Sequence, residues 1–175
     1  MNHLEMESYI HDFGEDLYCF CRSLSRSREE AEDLYQETFL KLYELADKLE
    51  IRTNPKGCLM AISVNLYRNY KRKMAIRRRI TGAVTQPGED LPSKEADTSY
   101  LALKAEDRRM VLHALDRLSD RYRLPVLLYY MEELSIENIA AILKVPKGTV
   151  KSRLHRAKKI LKQELEDAHY ERSYE

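Results

Sequence analysis

The sequence predicts an all-α protein: two small helical domains joined by a flexible linker, the second containing a helix-turn-helix. Three observations carry this. Apolar residues recur at three- and four-residue steps through 8–46, 55–70 and 99–161, the spacing that lines one face of a helix. The segment TGAVTQPGEDLPSKEADT, Thr81 to Thr98, holds two of the five prolines and two of the five glycines and has no such stripe, so it reads as a linker. Near the C-terminus, two short stripes flank a three-residue break at Lys144, Val145 and Pro146. The expected domains are therefore 1–80 and 99–175, with 81–98 between them.

The first helix is expected from about Ser8 to Leu24, with Ile10, Phe13, Leu17, Phe20 and Leu24 facing inward. Ser27 and Glu30 have the spacing of a capping box and open a second helix that runs to about Ala46. Its acids Glu29, Glu30, Glu32 and Asp33 cluster in the first turns, where the helix dipole favours them. Ala31, Leu34, Phe39, Leu42 and Leu45 supply its buried side, while Tyr35, Phe39 and Tyr43 leave large rings near the surface. Asn54 followed by Pro55 starts a third helix. Leu59, Ile62, Leu66 and Tyr70 are its inward candidates, and its far end is dense with Arg and Lys.

After the linker a helix resumes from about Ser99, with Leu101, Val111, Leu112, Leu115 and Leu118 as its apolar members. A further helix from Asp120 to Met131 carries Tyr122, Leu124, Val126, Leu127 and Tyr130, with Pro125 expected in its first turn. Ser135 then caps a short helix whose stripe is Ile136, Ile139, Ala140 and Leu143. The last helix aligns Val150, Leu154, Ala157 and Leu161, and the tail after Leu165 is expected to fray. Lys144 occupies the turn position where glycine often supplies a left-handed backbone. A lysine there costs roughly 1 kcal/mol relative to glycine.

Composition narrows the function. Of the 175 residues 34% are charged, and no apolar run approaches the about 20 residues needed to span a bilayer. The acidic N-terminus lacks the order of a signal peptide, so a cytoplasmic location is expected. Cys19, Cys21 and Cys58 have neither zinc spacing nor a disulfide framework. The five histidines form no HExxH or His/Cys cluster, and there is no phosphate-binding glycine loop and no GxSxG. No cofactor, metal site or catalytic residue is expected.

The net charge of +1 conceals segregation: 1–50 holds thirteen acids against five bases, and 51–80 holds nine bases and no acid. From Lys147 to Lys162 there are seven Lys or Arg and again no acid. Lys151, Ser152, His155, Arg156 and Lys159 face outward from the closing helix, the plan of a helix that enters the major groove of DNA. The plain alternative is an amphipathic hairpin with a solvated basic face.

Three blocks in this order resemble sigma factors of the extracytoplasmic-function type, which direct bacterial RNA polymerase. AEDLYQETFLKLYE, Ala31 to Glu44, is similar to conserved region 2.2. PKGCLMAISVNLYRNYKRK, Pro55 to Lys73, is similar to regions 2.3 and 2.4. ALDRLSDRYRLPVLLYYMEELSIENIAAILKVPKGTVKSRLHRAKKIL, Ala114 to Leu161, resembles region 4. The resemblance implies that Asp33, Gln36, Glu37, Phe39 and Tyr43, within 33–46, dock on polymerase core. It implies that Asn65 lines a pocket for a flipped base of the -10 element, with Arg68, Asn69, Lys71 and Arg72 contacting the promoter. The loop from Leu49 to Asn54 resembles the one that selects the captured base, although it offers Leu49 and Ile51 rather than an aromatic ring. A tryptophan common in the family is here Cys58.

In the third block, within 136–156 and just beyond it, Lys151, Ser152, His155 and Arg156 match readers of the -35 element. Lys147, Thr149, Arg153, Lys158 and Lys159 complete the DNA-binding set, the cations among them suited to phosphates, which position without reading sequence. The implied partners are polymerase core and promoter DNA. An anti-sigma factor stays open as a third, and no stable homo-oligomer is expected. The alternative is a stand-alone dimeric helix-turn-helix regulator, which leaves 33–43 and the basic helix at 68–79 unemployed. A nucleic-acid-processing enzyme is disfavoured, because no carboxylate cluster joins a metal or nucleophile motif.

Overall fold

The computed structural model describes residues 3–46, 53–81 and 105–172, and among these every regular element is helical. Apart from Thr81, the expected linker and the start of the helix after it lie outside the described residues, as does 47–52 of the loop before the third helix. Packing divides the chain into two units, Met1–Lys94 and Glu95–Glu175.

In the first unit, α1 (His3–Leu24) begins earlier than its apolar stripe suggests. Leu17, Phe20 and Leu24 are buried as expected and Cys21 joins them, but Ile10 stays exposed. Next comes α2 (Arg28–Leu45), capped by Ser27, whose hydroxyl accepts from the Glu30 backbone N–H at 3.1 Å. The return half of the capping box is shifted by one residue: Glu30 accepts from the Arg26 backbone N–H at 2.9 Å. α3 (Pro55–Thr81) is capped by Asn54, whose Oδ1 accepts from the Gly57 N–H at 2.9 Å. A Cβ at Gly57 would stand 2.3 Å from the Asn54 amide nitrogen, so a larger residue there would push the capping side chain aside.

α3 is held on several sides. Leu59, Met60, Ile62, Ser63, Val64 and Tyr67 are all buried, each large apolar side chain contributing about 1.5–3 kcal/mol. Tyr70, an inward candidate, instead stands exposed, and its hydroxyl donates to Glu30 Oε1 at 3.1 Å. The near end of α3 is tied to α1 by Lys56 and Asp16 at 2.8 Å.

The second unit contains α4 (Ala105–Arg117), α5 (Asp120–Val126), a π-helical turn (Leu127–Met131), α6 (Ile136–Leu143) and α7 (Lys147–Arg172). Pro125 is not in the first turn of α5 but at its sixth position, fully buried. Having no N–H, it withdraws the bond that the Arg121 carbonyl would normally receive. The backbone widens just beyond it, where the Glu132 N–H reaches Leu127 O at 3.1 Å, five residues back. The core gathers Leu115, Leu118, Leu124, Leu128, Ile139, Leu143 and Val150. α7 continues past the expected fraying point at Leu165, and Arg117 on α4 holds Glu164 on it at 3.1 Å.

The turn between α6 and α7 confirms the strain at Lys144, which is left-handed at φ 55°, ψ 49°. The Val145 N–H bonds Ala140 O at 3.1 Å and the Lys144 N–H bonds Ala141 O at 3.3 Å. This is the Schellman termination, with lysine in glycine's usual place.

Candidate functional site

Three exposed helix faces hold the candidate residues. On α2, Asp33, Gln36 and Glu37 are exposed, and Tyr43 is 57% exposed. Phe39 corrects the sequence expectation: only 7% exposed, it packs edge-on against Tyr35 at 5.2 Å. Tyr35 in turn meets Tyr18 at 5.8 Å, so Phe39 belongs to the core. Leu40, which the sequence reading missed, is 66% exposed. Its signal was present, since Leu40 lies four residues after Gln36 and seven after Asp33, on one helical face. The face is an apolar centre, Leu40 and Tyr43, bordered by Asp33, Gln36, Glu37 and the Lys41–Glu44 pair at 2.7 Å. An apolar core with a polar rim is the anatomy of a protein docking surface.

On α3, Asn65, Asn69 and Arg72 are exposed and Arg68 is half-buried. Their spacing of three, four and seven residues places them on one line of the helix. Arg72 donates to Asn69 Oδ1 at 3.0 Å, so the amide and guanidinium present a joined polar edge. Lys71 does not share that line. It sits about 240° round from Asn65, with its ammonium 5.4 Å from the Tyr67 ring centroid and 3.3 Å from the Tyr67 hydroxyl. Cys58, where the family commonly has tryptophan, is half-buried, and burial pushes its thiol up. It is a small apolar residue rather than a thiolate.

On α7, Val150 and Ala157 are fully buried and Leu154 is half-buried. That leaves Lys147, Lys151, Ser152, His155, Arg156, Lys158 and Lys159 exposed, with Thr149 half-buried. The Ser152 hydroxyl donates to its own helix at Thr149 O, 3.0 Å. Arg153 is half-buried, with its Nε enclosed, so it borders the basic face rather than standing on it. Lys147 pairs with Glu137 of α6 at 2.9 Å, and that hydrogen bond holds the Glu137 carboxyl below its ordinary range.

Among the described residues no group of His, Cys, Asp or Glu is placed to hold a metal ion, and no helix is long and apolar enough to cross a membrane. What the described residues expose is one mixed apolar and polar face on α2 and a basic face on each of α3 and α7.

Comparison with known proteins matches this arrangement. The family model for Sigma-70 region 2 matches residues 9–77, and that for Sigma-70 region 4 matches residues 108–161. The ECF RNA polymerase sigma factor EcfG of Rhodopseudomonas palustris is 34% identical over 142 residues, covering 81% of this chain and 75% of that protein. The ECF RNA polymerase sigma factor SigX of Bacillus subtilis is 27% identical over 155 residues, covering 88% and 80%. Among solved structures, the sigma factor RpoE of Bartonella quintana, crystallised with the anti-sigma factor NepR, superposes with a TM-score of 0.78 at 26% identity, over 93% of this chain and 97% of that one. CnrH, in complex with the cytosolic domain of CnrY, superposes with a TM-score of 0.67 at 19% identity, over 95% and 90%, a likeness of fold.

Proposed function

The chain belongs to the sigma-70 family as an extracytoplasmic-function sigma factor, and from that membership we propose how its helices divide the work. It is a transcription initiation factor that directs RNA polymerase to promoters. The α2 face around Leu40 and Tyr43 docks on polymerase core, with Asp33, Gln36 and Glu37 as its rim. Asn65 captures a flipped base of the -10 element, and Arg68, Asn69 and Arg72 hold the adjoining strand. Lys71, on another side of α3, takes a phosphate rather than a base. In α7, Lys151, Ser152, His155 and Arg156 meet the base edges of the -35 element, while Lys147, Lys158 and Lys159 take phosphates.

The chain contributes no catalytic step; polymerase supplies nucleotidyl transfer, and both work in the cytoplasm. Two separately folded units let one protein hold two promoter elements, so the second contact forms at high effective concentration. The observation that carries this reading is the pairing, in one chain, of matches to regions 2 and 4 with an exposed basic helix face in each. An anti-sigma factor is a further proposed partner, because the relative with TM-score 0.78 was crystallised with one.

The test is in vitro transcription with core polymerase on genomic fragments, mapping start sites. Starts that share two upstream elements and require the added chain support the reading. A tight homodimer that binds a palindromic site without polymerase, seen by gel filtration and DNA titration, would establish the rival regulator instead.

A further inference from the structure

Past Tyr67, α3 leaves the core: from Asn69 to Ile80 every residue is exposed except the half-buried Met74. This overhang carries Lys71, Arg72, Lys73, Arg77, Arg78 and Arg79 and no acid. Among these cations Ile76 is 51% exposed and Ile80 79% exposed. A single surface isoleucine needs no explanation, but the direction of Ile76 is informative. Eleven residues after Asn65, it returns to within about 20° of the same line. Asn65, Asn69, Arg72 and Ile76 therefore follow one another along one edge of the helix, with Lys73 and Arg79 on either side.

Amides, a guanidinium and an aliphatic group on one edge, flanked by cations, match the major groove of duplex DNA. Phosphates wall that groove, base edges floor it, and the thymine 5-methyl is the apolar group on that floor. Charge selects DNA over a protein partner of ordinary composition, because the overhang carries six cations and no acid. Duplex DNA offers a phosphate for every ~1.7 Å of axis.

We propose that Ile76 is a specificity-determining residue that packs on a thymine 5-methyl in the duplex adjoining the -10 element, with Lys73 and Arg79 on the flanking phosphates. This rests on the reading of α3 as the -10 helix. From Asn65 to Ile76 the helix rises about 16 Å, at most about five base-pair steps of ~3.4 Å. The methyl therefore lies within that window of the base held at Asn65.

The experiment uses the chain assembled with core polymerase on a mapped promoter, replacing each thymine of the window in turn, on each strand, by deoxyuridine, which lacks the methyl. One such replacement lowers wild-type affinity about fourfold, the worth of one buried methyl. Ile76→Ala lowers it by a similar factor, and the same deoxyuridine then has no further effect. A wild type indifferent to every replacement overturns the proposal, as does a mapped promoter with no thymine in the window. So does an Ile76→Ala variant that keeps full sensitivity, or one whose loss is in core association. A scrambled -10 element separates the two levels. If the wild type ignores scrambling, the -10 reading of α3 fails; if it responds to scrambling but to no deoxyuridine, only the role of Ile76 fails.

Discussion

Glu137 Oε1 and Lys147 Nζ lie 2.9 Å apart, joining the second residue of α6 to the first of α7. Both are well exposed, so the pair adds little to stability. Its consequence is for binding, because it occupies an ammonium proposed to meet a phosphate. Lys147 keeps the Glu137 carboxyl below its ordinary value. A carboxyl depressed in the folded state contributes above its unfolded-state value and loses that contribution as pH falls through the folded-state one. The pair is thus intact at neutral pH and breaks only in acid.

Glu137→Gln therefore releases Lys147 and removes a negative charge from the rim of the basic face. Affinity for cognate and scrambled -35 DNA rises alike, and the slope of log affinity against log salt steepens by up to about one. Titrations at several salt concentrations measure this. Unchanged affinity at low salt would mean that Lys147 does not reach a phosphate.

Phe39 and Leu40 are neighbours in sequence with opposite fates, and their truncations separate folding from docking. Phe39→Ala empties a core position and costs about 3–5 kcal/mol of stability. Leu40→Ala leaves thermal stability nearly unchanged but weakens core association by at least about fivefold, as a central apolar contact does. Glu37→Lys, at the rim, weakens core association with the same indifference in melting. Paired melting curves and core-binding titrations check all three, and a Leu40→Ala variant with native core affinity would remove this face from the interface.

Asn65 is exposed and supports no neighbouring helix through its side chain in any described hydrogen bond. Asn65→Ala leaves core binding and -35 recognition intact and reduces open-complex formation by about 1–3 kcal/mol, the usual worth of one base-specific contact. Permanganate footprinting near the start site reads the opened strand. Unchanged opening would show that the pocket does not use this amide.

Arg156 and Lys158 are both exposed on α7, but two residues turn the helix by about 200°, so they project from opposite flanks of the basic face. Arg156→Ala weakens binding to the cognate -35 element more than to scrambled DNA, because a planar guanidinium fork can pair bidentately with guanine. Lys158→Ala weakens both alike and lowers the salt slope by about one. Holoenzyme titrations on both DNAs decide; identical behaviour of the two variants would mean that a different side of α7 faces the bases.

Local chemistry announced much of this protein. Ser27, Asn54 and Ser135 mark helix starts because each places a side-chain oxygen where an unpaired backbone N–H needs one, an interaction confined to three residues. The left-handed turn at Lys144 and the basic outer face of α7 were legible for the same reason, since spacing alone sets which residues share a helical face. The sequence put Phe39 both on the buried side of α2 and among its docking residues, and left Leu40 unplaced. Apolar and aromatic residues cover more than half the circumference of α2, and periodicity gives the angle between two residues but not which angle points inward. Contacts with α1 and α3 made that choice, burying Phe39 beside Tyr35 and leaving Leu40 outside. Pro125 likewise looked like a first-turn residue, but a buried position in the second unit holds its ring, and the backbone beyond it widens into a π-helical turn. Packing from several directions at once decided these positions, and no repeat along a single helix encodes it.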